Sequence, residues 1–172
     1  MAHSRLGRVE LARLHTLRGL RIVNGPPLPS LDRAVVLSAQ LLGAPIAIVT
    51  LIERHLQIHR AIYGLRLDAL PREHSFCDHT IRQDGVMIVP DATADDRFRR
   101  NPLVCEAPHI RFYAGMPLVA RDGSKIGALC VLDTVPRRFD PSQARLLEHA
   151  GGIVMDILHL FARSRSDRGV PV

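Results

Sequence analysis

The residues best suited to metal or redox chemistry lie between positions 74 and 109. His74, Cys77 and His79 form an H-x-x-C-x-H pattern, and Cys105 and His109 follow in the next irregular segment. Thiolates and imidazoles are preferred ligands of zinc and other borderline metals. The spacing fits no standard zinc pattern, however, and a chain with nine histidines produces such clusters by chance. We therefore predict no metal site and no cofactor, and we keep metal or haem ligation as an alternative.

Cys77 is the residue best placed for thiol chemistry. It follows Ser75 and Phe76 at the start of a predicted short helix, where the positive end of the helix dipole favours a thiolate. The alternative interpretation is a small hydrophobic residue, because unmodified cysteines are often buried. Cys130 lies in an apolar strand, which favours a structural role.

Polar and aromatic side chains accompany the predicted strands and turns. Charged groups that converge on an apolar concavity orient a polar ligand. The alternative is local, since Asp91 can cap the turn that follows it and aromatic residues can belong to the core. Together with Cys77, the candidate ligand-binding residues are Asp78, Asp91, Phe98, Asn101, Arg111, Tyr113 and Asp133.

Common catalytic and nucleotide-binding motifs do not occur in this sequence. It has no GxSxG, no P-loop and no GxGxxG. We therefore predict a protein that binds a ligand without catalysis, and we assign no catalytic residue.

Helical periodicity marks both ends of the chain. An amphipathic helix is predicted over 4–23, and a second over 31–42 with Ser30 as its cap. Asp140, Pro141 and Gln143 predict the start of a long final helix through a capping box.

The final helix has two apolar stripes. We predict that one stripe meets the same helix of a second protomer, and that the other covers the sheet. The partner-facing stripe is assigned to Leu146, Ile153, Ile157 and Leu160, assisted by Leu6, Val9, Leu14 and Leu17. The sheet-facing stripe is assigned to Leu147, Val154, Leu158 and Phe161.

Strand patterns occupy the middle of the chain. Alternating or β-branched segments predict one hairpin over 44–53 and 55–63, and a brief strand over 86–89. A second hairpin over 110–120 and 126–134 has an Asp-Gly turn.

Composition places the chain among ordered globular proteins of one domain. It has 172 residues, of which 47% are hydrophobic and 23% charged. The net charge of +6 comes from scattered arginines without aromatic partners, so nucleic-acid binding is not expected. No apolar run is long enough to span a membrane, and the three cysteines form no CxxC pair. We therefore expect a cytoplasmic protein without a membrane partner.

The motifs of the central region resemble a known family. The segments SFC, PDATADDRF, AGMPL and GALCVLD, in this order, are similar to the GAF domains of bacterial sensor histidine kinases and cyclic-dinucleotide signalling proteins. The resemblance extends over residues 30–161. It implies an α+β fold with a central antiparallel sheet of about six strands. The N- and C-terminal helices would lie on one face, and an irregular loop and helix segment would cover a pocket on the other.

The resemblance also implies a domain organisation and a function. Residues 1–27 would form an N-terminal helix and breaker, residues 28–163 the GAF domain, and residues 164–172 a polar tail. The expected function is that of a small-molecule-binding sensor in bacterial signal transduction, acting as a homodimer through its terminal helices and able to contact a signalling partner.

Two alternatives remain open at this point. One is a stand-alone enzyme of the free methionine-R-sulfoxide reductase type, although the G-x-G-V-C-G stretch associated with that family is missing. The other is a haem or metal redox sensor. A bilin chromophore is not expected, because Cys105 is followed by Glu106 and not by the histidine of bilin-binding relatives.

Overall fold

The computed structural model describes the backbone of residues 2–166 and the side chains of residues 7–165. A 3-10 turn, Arg72–His74, precedes the third helix. The helices are α1 (Ala2–Gly19), α2 (Pro29–Leu41), α3 (Phe76–Thr80), α4 (Pro102–Cys105) and α5 (Pro141–Ser166). The strands are β1 (Ile46–Ile52), β2 (Leu56–Tyr63), β3 (Leu70–Pro71), β4 (Met87–Val89), β5 (Phe112–Val119) and β6 (Lys125–Asp133).

The six strands form one antiparallel sheet in the order β3-β2-β1-β6-β5-β4. The predicted α+β architecture is therefore confirmed. Strand β3 was not expected, because two residues are too few to show an alternating pattern.

The sheet has a hydrophobic core on each face. All seven residues of β1 are buried, and alternation divides them between the two sides. Ala47, Val49 and Leu51 belong to the core under α2 and α5, which we call the helical core. Ile46 and Ile48 belong to the opposite core under α3 and α4, which we call the loop core.

Helix α5 presents one stripe to the sheet and one to the outside, as predicted. The side chains of Leu147, Val154 and Leu158 are fully buried in the helical core. The outer stripe is exposed by 42% at Leu146, 56% at Ile153 and 66% at Leu160. The exception is Ile157, which packs partly against the helical core and does not point outward.

Helix α1 differs from its predicted role. Leu14 and Leu17 are buried within this chain, so they are not part of an outer stripe. Val9 is exposed as expected, and the side chain of Leu6 lies outside the described residues. The helix also ends at Gly19, earlier than predicted.

Helix α2 starts without the predicted serine cap. Leu28 occupies the cap position without a side-chain hydrogen bond, Pro29 starts the helix, and Ser30 lies inside it. Leu41, near the end of this helix, is exposed. Within residues 2–166, no helix has the length and hydropathy needed to cross a membrane.

The start of α5 agrees with the sequence. The carboxylate of Asp140 accepts hydrogen bonds from the backbone N–H of Ser142 at 2.7 Å and of Gln143 at 3.0 Å. The Gln143 side chain in turn accepts from the Asp140 N–H at 3.0 Å. This reciprocal capping box satisfies backbone N–H groups at the start of α5.

Candidate ligand site

Helix α3 sets the position of the site. Its cap is Ser75, whose hydroxyl accepts a hydrogen bond from the Asp78 N–H at 2.9 Å. The same hydroxyl donates to the Gln57 side chain, which ties the helix to β2. Cys77 and Asp78 follow in the first turn of α3 and are both buried.

Cys77 lies directly against Cys130 of β6. Their Sγ atoms are 3.8 Å apart, and both side chains are buried. The Tyr113 hydroxyl donates to Cys77 Sγ at 3.3 Å and lies 2.6 Å from Thr80 Oγ1. Two thiols and two hydroxyls thus form a polar network inside the loop core.

The network separates the acidities of the two thiols. Burial opposes ionisation of Cys77, but hydrogen bonds from Cys130, Thr50 and Tyr113 outweigh it and lower the pKa of Cys77. The contact with Cys77, together with burial, raises the pKa of Cys130 well above its ordinary value. Cys77 is therefore the member of the pair that ionises first.

Aromatic rings enclose the network. Phe76 stacks on Phe98 with ring centroids 4.1 Å apart, and on Tyr113 at 5.2 Å. Three sequence candidates, Cys77, Phe98 and Tyr113, are thus brought together by the fold.

A small cavity adjoins this cluster. Its volume is about 20 Å³, and Cys77, Cys130 and Tyr113 contribute to its wall. A cavity of this size holds about one water molecule, so it is too small for a metabolite in this conformation. Its outer rim consists of half-buried residues that follow β2 or belong to α4 and the segment after it: Leu65, Leu67, Leu103 and Pro108.

Asp78 faces away from the cavity and joins a chain of ion pairs. Its carboxylate binds Arg72 Nε at 2.7 Å and also pairs with Arg82. Arg72 Nη1 continues to Glu10 of α1 at 2.5 Å, and Glu10 also binds Arg13 at 2.8 Å. The chain connects α3, beside the thiol pair, to the N-terminal helix.

Two further candidates have local contacts. The Asp91 carboxylate accepts from the Thr93 N–H at 2.9 Å and from its hydroxyl at 2.7 Å, which is the turn-capping role considered above. Asn101 caps α4 through Leu103 N at 2.9 Å and donates to the His74 carbonyl at 2.8 Å.

Arg111 and Asp133 lie at the start of β5 and the end of β6. Arg111 donates to the carbonyls of Val104 and Ile110 at 2.9 and 3.1 Å. Asp133 accepts from Arg137 at 3.4 Å. The described residues that line the cavity include neither of them, nor Asp78, Asp91 or Asn101. The sequence candidates therefore separate into an inner cluster and residues that shape the surrounding loops.

The histidine and cysteine pattern does not converge. Cys105 is exposed, and its thiol donates to the Arg99 carbonyl at 3.3 Å. Across the described part of the chain, no three His, Cys, Asp or Glu side chains form a group that could hold a metal ion.

Two features of the site have no signal in the amino-acid sequence. Cys130 was interpreted as structural, and its contact with Cys77 joins positions 53 residues apart. An open cleft of about 820 Å³ also lies between α1, α3 and the β5–β6 turn. Its cations, Arg13, Arg72, Arg82 and Lys125, each pair with a carboxylate of this chain. An anionic ligand would have to compete with these pairs.

Comparison with known proteins gives a family and a fold. A family model described as GAF domain matches residues 27–156. The cyclic di-GMP phosphodiesterase PA2567 of Pseudomonas aeruginosa is 43% identical over 116 residues, which cover 67% of this chain and 20% of that protein. This chain therefore matches about a fifth of the length of that relative.

Solved structures share the architecture at low sequence identity. The GAF domain of an Acinetobacter phosphoenolpyruvate-protein phosphotransferase has a TM-score of 0.64 and 17% identity, covering 92% of this chain and 98% of that one. Free methionine-R-sulfoxide reductase of Neisseria meningitidis, solved with its substrate, also has a TM-score of 0.64 and 17% identity, covering 86% and 87%. At such identities the likeness shows the fold alone, and the fold occurs in both an enzyme and a phosphotransferase domain.

Proposed function

Because the chain belongs to the GAF domain family, we propose that it is a non-catalytic regulatory module of bacterial signal transduction that binds a small molecule and acts as a homodimer. A module of this size corresponds to about a fifth of the phosphodiesterase relative. We therefore propose that this module regulates an output activity and does not itself carry the phosphodiesterase activity of the relative. The proposed compartment is the cytoplasm.

The proposed binding site is the loop-core cavity after its rim has opened. The wall is apolar apart from Gln57 and the groups of the thiol network. Burying a charge in such surroundings is costly unless it is paired. The ligand class that fits is a small uncharged molecule, oriented by Gln57 and the Tyr113 hydroxyl. Segments 65–67 and 103–108 would move apart to admit the ligand. Their side chains at the rim of the cavity are only half-buried, so fewer contacts oppose this movement.

The observation that most supports a regulatory role is the ion-pair chain from Asp78 through Arg72 to Glu10. Asp78 follows Cys77 on α3, so a ligand that displaces α3 also displaces the carboxylate that holds Arg72. Because Arg72 contacts α1 directly, the state of the cavity is coupled to the position of the N-terminal helix. Coupling of this kind needs contacts that differ between two states, and these ion pairs are the contacts that we propose to change.

The proposed dimer uses the outer face of the helical layer. The exposed side chains of Leu146, Ile153 and Leu160 form a stripe along α5. Leu37 and Leu41 of α2 are also exposed, and α2 packs beside α5. An extended apolar surface of this kind is typical of a protein interface. Two copies related by a two-fold axis would bury the same stripe on each other.

The ligand proposal is tested by extraction. Small molecules released by denaturing the purified wild-type protein are identified by mass spectrometry and compared with those from Cys130→Met, whose longer side chain fills the cavity. A compound that is present only in the wild type, and that raises its melting temperature when added back, is the expected result. Equal extracts from both proteins, with no shift by any extracted compound, would reject this binding site.

The reductase alternative is disfavoured by the sequence, which lacks the G-x-G-V-C-G stretch associated with that family. In the closed conformation the cavity of about 20 Å³ is also too small for an amino acid. Turnover of free methionine sulfoxide with a thiol reductant, lost in Cys77→Ala, would favour this enzyme over the regulatory module. A visible absorption band of the purified protein would similarly favour a haem sensor.

A further inference from the structure

We propose that Cys77 and Cys130 are a redox site, in which a small hydroperoxide converts the two thiols into a reversible intramolecular disulfide. This inference goes beyond the proposed function and does not depend on the identity of its ligand.

The distance between the thiols is the first argument. The Sγ atoms are 3.8 Å apart, and a disulfide requires about 2.05 Å. Cys77 lies on the five-residue helix α3, which irregular segments connect to the sheet. Cys130 lies in β6, between β1 and β5 at the centre of the sheet. The closure therefore requires a movement of less than about 2 Å, mainly by α3.

Access is the second argument. Both thiols border the cavity of about 20 Å³, which has room for a molecule about the size of water. Hydrogen peroxide is of that class, whereas a peptide thiol or an alkylating reagent is not. The half-buried rim at Leu65, Leu67, Leu103 and Pro108 is the path from solvent.

The chemistry follows from the different environments of the two thiols. Cys77, which ionises first, attacks one oxygen of the hydroperoxide. The O–O bond breaks, and the other oxygen leaves as water after taking a proton. The product is a sulfenic acid at Cys77.

The second step closes the pair. Cys130 loses its proton and attacks the sulfur of Cys77, so that an S–S bond forms, the S–O bond breaks and water leaves. Two thiols lose two electrons in total, and one hydroperoxide gains them. Once the rim has opened, exchange with an external dithiol, which is itself oxidised, restores both thiols.

Tyr113 is a positioning residue for the first step. Its hydroxyl donates to Cys77 Sγ at 3.3 Å and stabilises the thiolate. Removing this donor in Tyr113→Phe should slow sulfenic acid formation severalfold. In this variant, the pH midpoint of the rate of sulfenic acid formation should lie above the midpoint of the parent protein. A purely structural role of Tyr113 would not shift this midpoint.

The experiment uses the full chain with Cys105→Ser, which removes the exposed thiol. After treatment with hydrogen peroxide, the protein is denatured, alkylated and weighed, and its peptides are mapped. The expected product is 2 Da lighter (two hydrogens lost), takes up no alkylating reagent and links the Cys77 and Cys130 peptides. Reduction before alkylation should restore both thiols.

Single variants in the same background test the two roles. Cys130→Ala should accumulate a sulfenic acid at Cys77 that dimedone traps when it is present during denaturation, whereas Cys77→Ala should leave Cys130 unreacted. Far-UV circular dichroism shows whether each variant is folded. If a single variant is unfolded, the proposal is decided by the presence or absence of the Cys77–Cys130 cross-link in the Cys105→Ser protein. Two alkylatable thiols after peroxide treatment, or sulfinic acid without a cross-link, would overturn the proposal.

Discussion

The guanidinium of Arg72 lies 2.5 Å from the carboxylate of Glu10, although 62 residues separate them in the chain. Partial burial opposes ionisation of Glu10, but hydrogen bonds and charges from Arg13 and Arg72 outweigh it and lower its pKa from 4.5 to about 2. The contact thus stabilises the packing of α1 against the 3-10 turn only while Glu10 is ionised.

Glu10→Gln should therefore destabilise the protein in a pH-dependent way. Because the folded-state pKa is depressed, the contribution of Glu10 is fully present above about pH 4.5 and is lost as the pH falls toward about 2. Discounted for the partial exposure of the side chain, the expected loss at pH 7 is about 1 to 2 kcal/mol. At pH 3 the difference from wild type should be less than half as large. Urea unfolding at both pH values measures it.

The control for this prediction is Glu148→Gln on the exposed face of α5. It removes the same charge without breaking the Arg72 contact, so its effect should stay within about 0.5 kcal/mol. A loss in Glu10→Gln that is independent of pH would show that the ion pair is not its cause.

Ile153→Asp combined with Leu160→Asp should dissociate the proposed homodimer without unfolding the chain. Both side chains are exposed in the single chain, so the carboxylates are tolerated there and disfavoured only in the interface. Burying them without partners should raise the dimer dissociation constant by at least about 100-fold. Light scattering after size exclusion, at micromolar protein concentration, should show one chain in place of two.

Val135→Asp, at an exposed apolar position after β6, is the matched control for the interface. It should leave the mass unchanged. A double variant on α5 that keeps the wild-type mass would place the interface elsewhere, and a wild type that is already monomeric would reject the homodimer.

Gly127→Ala should be among the most damaging small substitutions in the sheet. A Cβ atom at this position would lie 1.9 Å from the Thr50 carbonyl oxygen and 3.0 Å from Leu51 Cα, both of them in β1. Since backbone atoms cannot rotate aside, β1 and β6 must separate, at a cost of about 3 kcal/mol. Gly7→Ala in α1, where a Cβ meets no atom within 4 Å, should show no loss in the same denaturation experiment.

Tyr113→Phe should lower the free energy of unfolding at neutral pH. It should also make the free energy of unfolding less dependent on pH in the alkaline range. It removes hydrogen bonds to Thr80 and Cys77, worth roughly 1 to 3 kcal/mol. Burial and the neighbouring thiols raise the pKa of Tyr113 well above its ordinary value. This contribution is therefore complete below about pH 10 and is lost as the pH rises further.

The stability difference between wild type and Tyr113→Phe should accordingly shrink from pH 9 to pH 11. Tyr63→Phe, at the exposed end of β2, should change stability by less than about 0.5 kcal/mol at neutral pH. A constant difference across this range would mean that the Tyr113 phenol ionises equally well in the folded protein.

The sequence alone determined the elements whose signals are local. The capping box of Asp140 and Gln143, the short helix that starts at Ser75 and the Asp-Gly turn each depend on neighbours within a few residues, and all three are found in the structure. The two-stripe pattern of α5 is also local, because helical period fixes which side chains share a face. Packing decided the remaining details, such as the inward turn of Leu14 and Leu17 and the loss of the Ser30 cap.

Only the tertiary structure decided which candidate residues meet. Asp91, Asn101, Arg111 and Asp133 were predicted to bind the ligand together with Cys77. Their polar groups instead bind nearby backbone or side chains and do not line the cavity. No local sequence pattern marks Cys130 as part of the site, because its contact with Cys77 depends on where α3 packs against β6. The same holds for Glu10 and Arg72. Contacts between distant segments follow from the three-dimensional path of the chain, and residue type and spacing within one segment do not encode that path.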